Sequence, residues 1–600
     1  MAFEQRKNIV LSLIVLLALV YIIRLFYLQV IDKSYQISAE NNVLRFVTEY
    51  PERGLIYDRN NKLLVFNKAS YDLMVIPNKI KHLDTIALCN MIHLRKNEFT
   101  KQIKKAKNYS RYKPSVVVKL LTESEYSSLQ EQLFRFHGFY LQRRLVRSYT
   151  DTIASHLLGY IGEVSEKQIK ADPYYTQGDY AGISGVEYAY EKQLRGKKGV
   201  SIFQVDVHNR IKDRFSNGKY DTLPEKGHNI KITIDKDLQH YGEYLLQGKI
   251  GSIVAIEPAT GEVLAFASSP TYNPSKLISR NRSQYYRSLI TDSLKPLFNR
   301  ALMSKYPPGS TFKVANALVG LQEEILFPNT YYSCHYGYHA GGLTVGCHGH
   351  KSPLNLVESI QISCNAYYCN VFRNILEHNK NESVESAFKT WRHYITSLGF
   401  GKKLGIDLPN ESSGFIPTSK YFDKYYGRGH WSGLTVISMA IGQGEVLATP
   451  LQLANFAALI ANKGYYKMPH VVKAIDNKDI DIKYTINRFS DIKKKYFDVV
   501  TEGMYLAVNG GAGSTAHIAK IPGVDVCGKT GTAQNPHGKD HSVFMAFAPR
   551  QNPKIAIAVI IENGGFGATI AAPIARLMIE KYLNDSISQP YLEKYVLQKK

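Results

Sequence analysis

Residues 8–31, NIVLSLIVLLALVYIIRLFYLQVI, run for about two dozen positions with Arg24 as the only charge. A helix of that length rises roughly 36 Å, enough for the hydrocarbon core of a bilayer, and Arg24 can snorkel toward the headgroups. A cleaved signal peptide is the alternative. Against it, the run exceeds the roughly 7–15 residues of a signal core and no clear A-x-A site follows, so an uncleaved anchor is expected. Arg6 and Lys7 precede it, which predicts a cytoplasmic tail, residues 1–7, and everything after residue 31 outside the membrane.

The 600 residues are too many for one core, so two to four domains are expected. Lys and Arg number 75 against 51 Asp and Glu, a net charge of +24. That excess reads either as a solvated surface or as attraction to anionic headgroups or to an acidic polymer outside the membrane. Nucleic acid is not expected as a partner, because no binding motif is present.

Residues 45 to about 225 are polar, rich in Lys and Tyr, and broken by Gly and Pro. Within them, VTEYPERGLIYDRNNKLLVFN sets two apolar runs around the turn signal DRNN, the pattern of a hairpin. From about 226 the texture changes. A helical DLQHYGEYLLQG is followed by GSIVAIEP and EVLAFASSP, two alternating apolar strands around a tight turn. SVFMAFAPRQNPKIAIAVIIEN repeats that pattern, and ATIAAPIARLMIEKYL is expected as the closing helix. Strands at both ends enclosing a mostly helical middle predict an α/β or α+β domain whose sheet is mostly antiparallel and flanked by helices.

Within that domain, YPPGSTFKVAN places Ser310 three residues before Lys313 at the start of a helix, where both side chains share one face. The free N–H groups and positive dipole end of a helix N-terminus suit an oxyanion formed when a serine attacks a carbonyl. A serine hydroxyl needs a base, and a lysine serves only if burial or a neighbouring cation lowers its pKa. Alone, the tetrapeptide is weak evidence, since a serine N-cap produces the same pattern. Its company matters more: ISCNAYY carries Ser363 and Asn365, and VCGKTGTAQN carries Lys529, Thr530, Gly531 and Thr532 just before an apolar strand.

Ser-x-x-Lys, Ser-x-Asn and Lys-Thr-Gly in this order resemble the set found in penicillin-binding proteins and serine β-lactamases, with SCN here in place of SDN. YPERGLIYDRNNKLLV, HLLGYIGEV, GISGVEYAYEKQLRGKKG and IGQGEVLATPLQLA extend the likeness over nearly the whole chain, to class B penicillin-binding proteins of the elongation type. The resemblance implies a peptidoglycan D,D-transpeptidase with a β-rich, elongated pedestal (dimerisation-like) domain over 32–225 and a transpeptidase domain over 226–600. It also implies stem peptides as substrate, β-lactams as inhibitors, a SEDS-family glycosyltransferase of the RodA type as partner, an inner-membrane location and no organic cofactor.

On matching positions, the resemblance makes Ser310 the nucleophile that becomes the acyl-enzyme. Lys313 takes its proton and Ser363 relays one to the leaving amine. Lys529 keeps Lys313 deprotonated and, with Thr530 and Thr532, binds the terminal carboxylate beside Gly531. Asn365 holds the substrate backbone, and the N–H groups of Ser310 and Thr532 form the oxyanion hole.

Four of the six cysteines, Cys334, Cys347, Cys364 and Cys369, fall in a short region with His335, His339, His348 and His350. The Cys347-x₂-His350 spacing suits a zinc knuckle, an oxidising compartment suits a disulfide, and free thiols are the third reading. Cys369 lies about 140° around a helix from Cys364 and is expected to face elsewhere. Resemblance to elongation-type relatives with a metal in this insertion favours a structural zinc on Cys334, Cys347, His350 and Cys364, with His348 as substitute. Cys89 and Cys527 read as buried residues. The rival functions are a carboxypeptidase or β-lactamase that passes the acyl group to water, a division-type transpeptidase, and a penicillin-binding sensor or scaffold.

Overall fold

A computed structural model describes residues 2–28, 44–205, 211–377 and 383–599. The N-terminal helix spans Ala2–Phe26, and its segment Lys7–Phe26 is long and apolar enough to cross a membrane, with none of it buried. Residues 29–31 of the expected anchor lie outside the described residues.

The remainder divides into two compact units that interleave along the chain. The first takes residues up to Arg53, Asn67–Val146 and Arg195–Gly227; the second takes Gly54–Phe66, Arg147–Leu194 and His228–Lys600. The first unit is β-rich at its edges: Leu44–Glu49 pairs antiparallel with Gly199–Val205, which pairs with Ile211–Arg214. Its core gathers Leu73, Val75, Leu88, Phe99, Val118, Leu129 and Phe136. The helix Lys96–Tyr109 contributes Phe99 and Ala106 to it and leaves its lysines outside.

In the second unit the DRNN hairpin forms as expected: Ile56 faces Val65 and Tyr57 faces Leu63 across a turn in which Asn61 has φ 64°. Ile56 then pairs in parallel with Ile230, which draws Gly54–Phe66 into this unit. The Ala154 N–H donating to Glu243 Oε1 at 2.7 Å and the Tyr190 hydroxyl donating to Asp407 Oδ2 at 2.7 Å do the same for Arg147–Leu194, within which Arg147 and Glu187 form a fully buried ion pair at 2.6 Å.

The main sheet has five strands: β1 (Gly251–Ile256), β2 (Val263–Ser269), β3 (Cys527–Ala533), β4 (His541–Ala548) and β5 (Ile555–Ile561). Their order is β2-β1-β5-β4-β3, and every pairing is antiparallel. The sheet bears out the expected hairpins but not the alternating pattern. β1 and β5 are buried at every position, because helices cover both faces and solvent reaches neither. Ile253, Ala255, Phe544, Ile557 and Val559 pack with the helix Ala571–Asn584 and with Leu238 and Leu245. Each Ile, Val, Leu or Phe side chain among them, taken out of water, stabilises the fold by about 1.5–3 kcal/mol. Ala571–Asn584 is not the last helix: Pro590–Gln598 follows, with Pro590 at its start and Leu592 and Val596 in the same core.

This architecture matters to function because β3 is an edge strand. It pairs with β4 on one side, with Lys529 opposite Met545 and Thr532 opposite Ser542, and among the described residues no strand pairs with its other edge.

Candidate active site

Ser310 lies in a single 3-10 turn, Gly309–Phe312, that runs into helix α1 (Lys313–Gln322). Its side chain caps neither element, which removes the N-cap reading of the Ser-x-x-Lys pattern. Residues three apart eclipse one another in a 3-10 turn, so Ser310 and Lys313 share one side of it. Thr311 closes the turn by donating its hydroxyl to the Pro308 carbonyl at 2.7 Å.

Glycines bring this turn against β3. Gly309 has φ 58°, and a Cβ there would sit 2.5 Å from the Thr532 carbonyl; a Cβ on Gly531 would sit 2.7 Å from the Pro308 carbonyl. Two backbones approach each other where no side chain fits between them. The Gly309 N–H also donates to the Gly442 carbonyl at 2.9 Å.

The middle motif sits at a helix junction. Helix α2 (Leu356–Ile362) ends at Ser363, and helix α3 (Asn365–Glu377) begins two residues later. Ser363 is left-handed, φ 68°, a conformation that costs an L residue roughly 1–2 kcal/mol. The strained turn aims both its carbonyl and its hydroxyl at one amine. Lys313 Nζ donates to the Ser363 carbonyl at 2.6 Å, to Ser363 Oγ at 3.3 Å and to Asn365 Oδ1 at 2.6 Å. From the other side, Lys529 Nζ donates to Ser363 Oγ at 2.7 Å and to the Thr530 carbonyl at 3.2 Å. Three stretches of chain meet on one hydroxyl oxygen, Lys313 lying 50 residues before Ser363 and Lys529 lying 166 after it.

Both lysines are fully buried. Burial pulls Lys313 down from its ordinary value of 10.5 to about 8. Burial also takes Lys529 well below the lysine range, and the charge of Lys313 depresses it further. Two amines flanking one oxygen titrate as a pair, and the shared direction is downward. Like-charge repulsion between the two amines acts in the same direction as their burial. Such a site can hold a neutral amine beside a charged one near neutral pH.

The cysteine-rich insertion reaches the same place. Cys334, Cys347, His350 and Cys364 bring three thiols and one imidazole nitrogen within 4.8 Å of one another. All six cysteines are free; Cys89 and Cys527 are buried, and buried Cys369 is not in the group. His350 Nε2 is 3.5 Å from Cys347 Sγ, while its Nδ1 meets the Lys351 carbonyl at 2.6 Å and so carries the proton, leaving Nε2 as the free lone pair. His348 lies further off, its Nδ1 4.0 Å from Cys347 Sγ. A hydrogen bond from the Cys364 thiol, helped by His348, His350 and the Asn365 N–H, holds the Cys347 thiol low, and Cys364 is pushed up in return. The insertion also grips Asn365: its N–H donates to Cys347 Sγ at 3.2 Å and its Nδ2 to the Gly346 carbonyl at 2.7 Å.

Two supporting residues carry no signal of their own in the sequence. Gln443 donates Nε2 to the Thr532 carbonyl at 2.7 Å and accepts from the Gln534 N–H at 3.3 Å, holding the end of β3. Asn316, one turn beyond Lys313, donates to the Met439 and Ala440 carbonyls and accepts from Trp391 Nε1 at 2.9 Å, tying α1 to the segment before Gln443. Gln443 lies between two glycines in IGQG, which marks a turn but not its target.

The model of the penicillin-binding protein transpeptidase domain matches residues 251–580, and that of the penicillin-binding protein dimerisation domain matches 48–232. The peptidoglycan D,D-transpeptidase MrdA of Acinetobacter baumannii is 31% identical over 97% of this chain and 88% of its own length. Among solved structures, penicillin-binding protein 2 of Helicobacter pylori, in a complex with MreC, aligns with a TM-score of 0.73 at 26% identity over 90% of this chain and 99% of that one. A chain of a peptidoglycan synthase complex aligns at 0.72 and 27% over 97% and 99%. The chain belongs to the penicillin-binding protein family. Within it, the full-length matches put it with class B, among the penicillin-binding protein 2 members.

Proposed function

We propose that this protein is an elongation-type peptidoglycan D,D-transpeptidase that works through a serine acyl-enzyme at Ser310. The observation that carries the reading is the convergence of Lys313, Lys529 and Asn365 on Ser363 beside the Ser310 turn. A stem peptide ending in D-Ala-D-Ala lies along the open edge of β3, its terminal carboxylate at Lys529, Thr530 and Thr532. The arriving carboxylate favours the charged form of Lys529, and Lys313 acts in its neutral form. Neutral Lys313 takes the Ser310 proton as Oγ attacks the penultimate carbonyl, and the N–H groups of Ser310 and Thr532 receive the oxyanion. Ser363 passes a proton to the leaving D-alanine. An amine of a second stem peptide takes the acyl group and frees Ser310. A β-lactam opens on Ser310 in the same way and stays there.

The pH dependence follows from the sign of the Lys313 shift. Below about 8 the amine is charged and no base; above it the amine is neutral. The rate of penicillin acylation is expected to rise about tenfold per pH unit up to about pH 8 and then level off, read by stopped-flow on the purified protein. A rate flat between pH 6 and 9 would contradict the assignment of Lys313 as base.

Gln443→Ala is expected to slow acylation on the order of tenfold with little change in the initial binding of penicillin, because the backbone of Thr532 loses its clamp. Saturation kinetics separate the two constants.

The four residues of the insertion fit a structural zinc: three thiols and an imidazole suit a tetrahedral site, where bonds of about 2.0–2.3 Å hold ligand atoms close to the observed spacing. Bound there, zinc would supply a cross-link between the insertion and the residues around Ser363. Cys347 and Gly346 then hold Asn365, and Asn365 holds Lys313. Metal analysis is expected to give one zinc per chain, lost in Cys347→Ser, with slower acylation although Ser310 and Lys313 are untouched. Absence of metal from the purified wild type would overturn this.

The N-terminal helix serves as a single-pass anchor in the inner membrane, with the N-terminus cytoplasmic and both units outside. A SEDS-family glycosyltransferase of the RodA type is the partner that would supply new strands, a reading supported by the likeness to a chain of a peptidoglycan synthase complex.

A further inference from the structure

The helix Lys96–Tyr109 in the first unit is unusual for a surface helix. Its apolar stripe, Phe99, Ile103 and Ala106, is committed to the core of that unit. At 100° per residue, the opposite face carries Asn97, Lys101, Lys104, Lys105 and Asn108, all exposed. Lys101, Lys104 and Lys105 are spaced so that like charges meet at i,i+3 and i,i+4, an arrangement that destabilises a helix. Glu98 is the helix's only acid, and none of the three lysines forms an ion pair among the described residues. The helix then ends in SRYK, with Ser110 Oγ accepting from the N–H groups of Tyr112 and Lys113 and holding that turn. Tyr109 is 70% exposed and Tyr112 49%. Cations at a helix C-terminus are favoured by the dipole, which accounts for Lys107, Arg111 and Lys113. It does not account for the three lysines in mid-helix.

We propose that this face is a binding site for the carboxylate-bearing glycan polymer itself, a peptidoglycan strand held away from the catalytic cleft. Lys101, Lys104 and Lys105 meet carboxylates of the stem peptides, and Tyr109, about 6 Å beyond Lys105 along the helix, offers a ring face to a sugar. The chemistry disfavours the other partners. An interfacial helix turns its apolar face to lipid, whereas here that face lies inside the domain. The core of a protein interface is depleted in lysine, whereas here lysines form the centre of the face. The choice of polymer rests on the transpeptidase reading; the presence of a polyanion site does not.

The test uses the full-length protein in neutral detergent, acylated beforehand with penicillin so that the cleft is closed, and sedimented with insoluble peptidoglycan over a range of salt. The wild type is expected to pellet, less so as salt rises. The variant Lys101→Gln, Lys104→Gln, Lys105→Gln is expected to bind on the order of tenfold more weakly with a shallower salt dependence. The charge-matched control Lys212→Gln, Lys219→Gln, Lys226→Gln is expected to bind as the wild type. Equal binding by the first variant, equal loss in the control, or wild-type binding to anionic phospholipid vesicles but not to peptidoglycan would each overturn the proposal. Penicillin labelling, expected to be unchanged in both variants, reports separately on the Ser310 reading.

Discussion

Ser310→Ala is expected to abolish covalent labelling by a fluorescent penicillin, a loss on the order of a millionfold in acylation, while the protein still folds and still inserts in the membrane. The size follows from chemistry: without the hydroxyl there is no atom to form the acyl bond, and neither buried lysine lies where it could replace it, since both point at Ser363. The preserved fold follows from structure. Ser310 caps neither the 3-10 turn nor α1, and the turn is held instead by Thr311 and by the Gly309 N–H. A thermal melt within about 0.5 kcal/mol of wild type is expected, as for substitutions away from any structural role. A labelled band in a gel of the variant would show that another residue is acylated.

Lys313→Met should produce the second-largest effect, a fall of about 10²- to 10⁴-fold in the acylation rate with Ser310 intact. Methionine nearly fills the volume of the lysine stem but carries no base. The variant would also lose the pH dependence described above, because the group whose proton must leave is gone. Lys529→Met makes an informative contrast. It leaves the base but removes the cation for the substrate carboxylate, so its effect is expected mainly in substrate binding. If Lys313→Met slowed acylation less than Lys529→Met, the assignment of base and carboxylate partner would have to be exchanged.

The sequence carried the parts of this account that are local or ordered. A 24-residue apolar run is legible because its physical requirement is a length. The three motifs are legible because their order and their helix, loop and strand settings recur together, and the structure brings Lys313, Ser363, Asn365 and Lys529 into contact. Of the readings open for the cysteines, the group Cys334, Cys347, His350 and Cys364 gathers as expected, with Cys369 outside it. What was hidden depends on contacts between distant segments. Nothing in IGQG says that Gln443 clamps Thr532, 89 residues away. Nothing in ISCNAYY says that Ser363 is left-handed, since serine seldom adopts that conformation and no glycine marks it. The strands β1 and β5 read as alternating because small residues such as Ala255 and Ala558 look like breaks in an apolar run, yet helices cover both faces and bury them all. The helix beyond the expected closing one is hidden because Pro590 reads as a stop signal as readily as a helix start.

The central claim is that a hydroxyl on the Ser310 turn is the atom activated where the three segments meet. Peptide mapping by mass spectrometry after brief exposure of the wild-type protein to a penicillin tests it most directly. A single adduct is expected on the peptide containing Ser310, formed faster at pH 8 than at pH 6. An adduct on the peptide containing Ser363, or none at any pH in a folded protein, would contradict it.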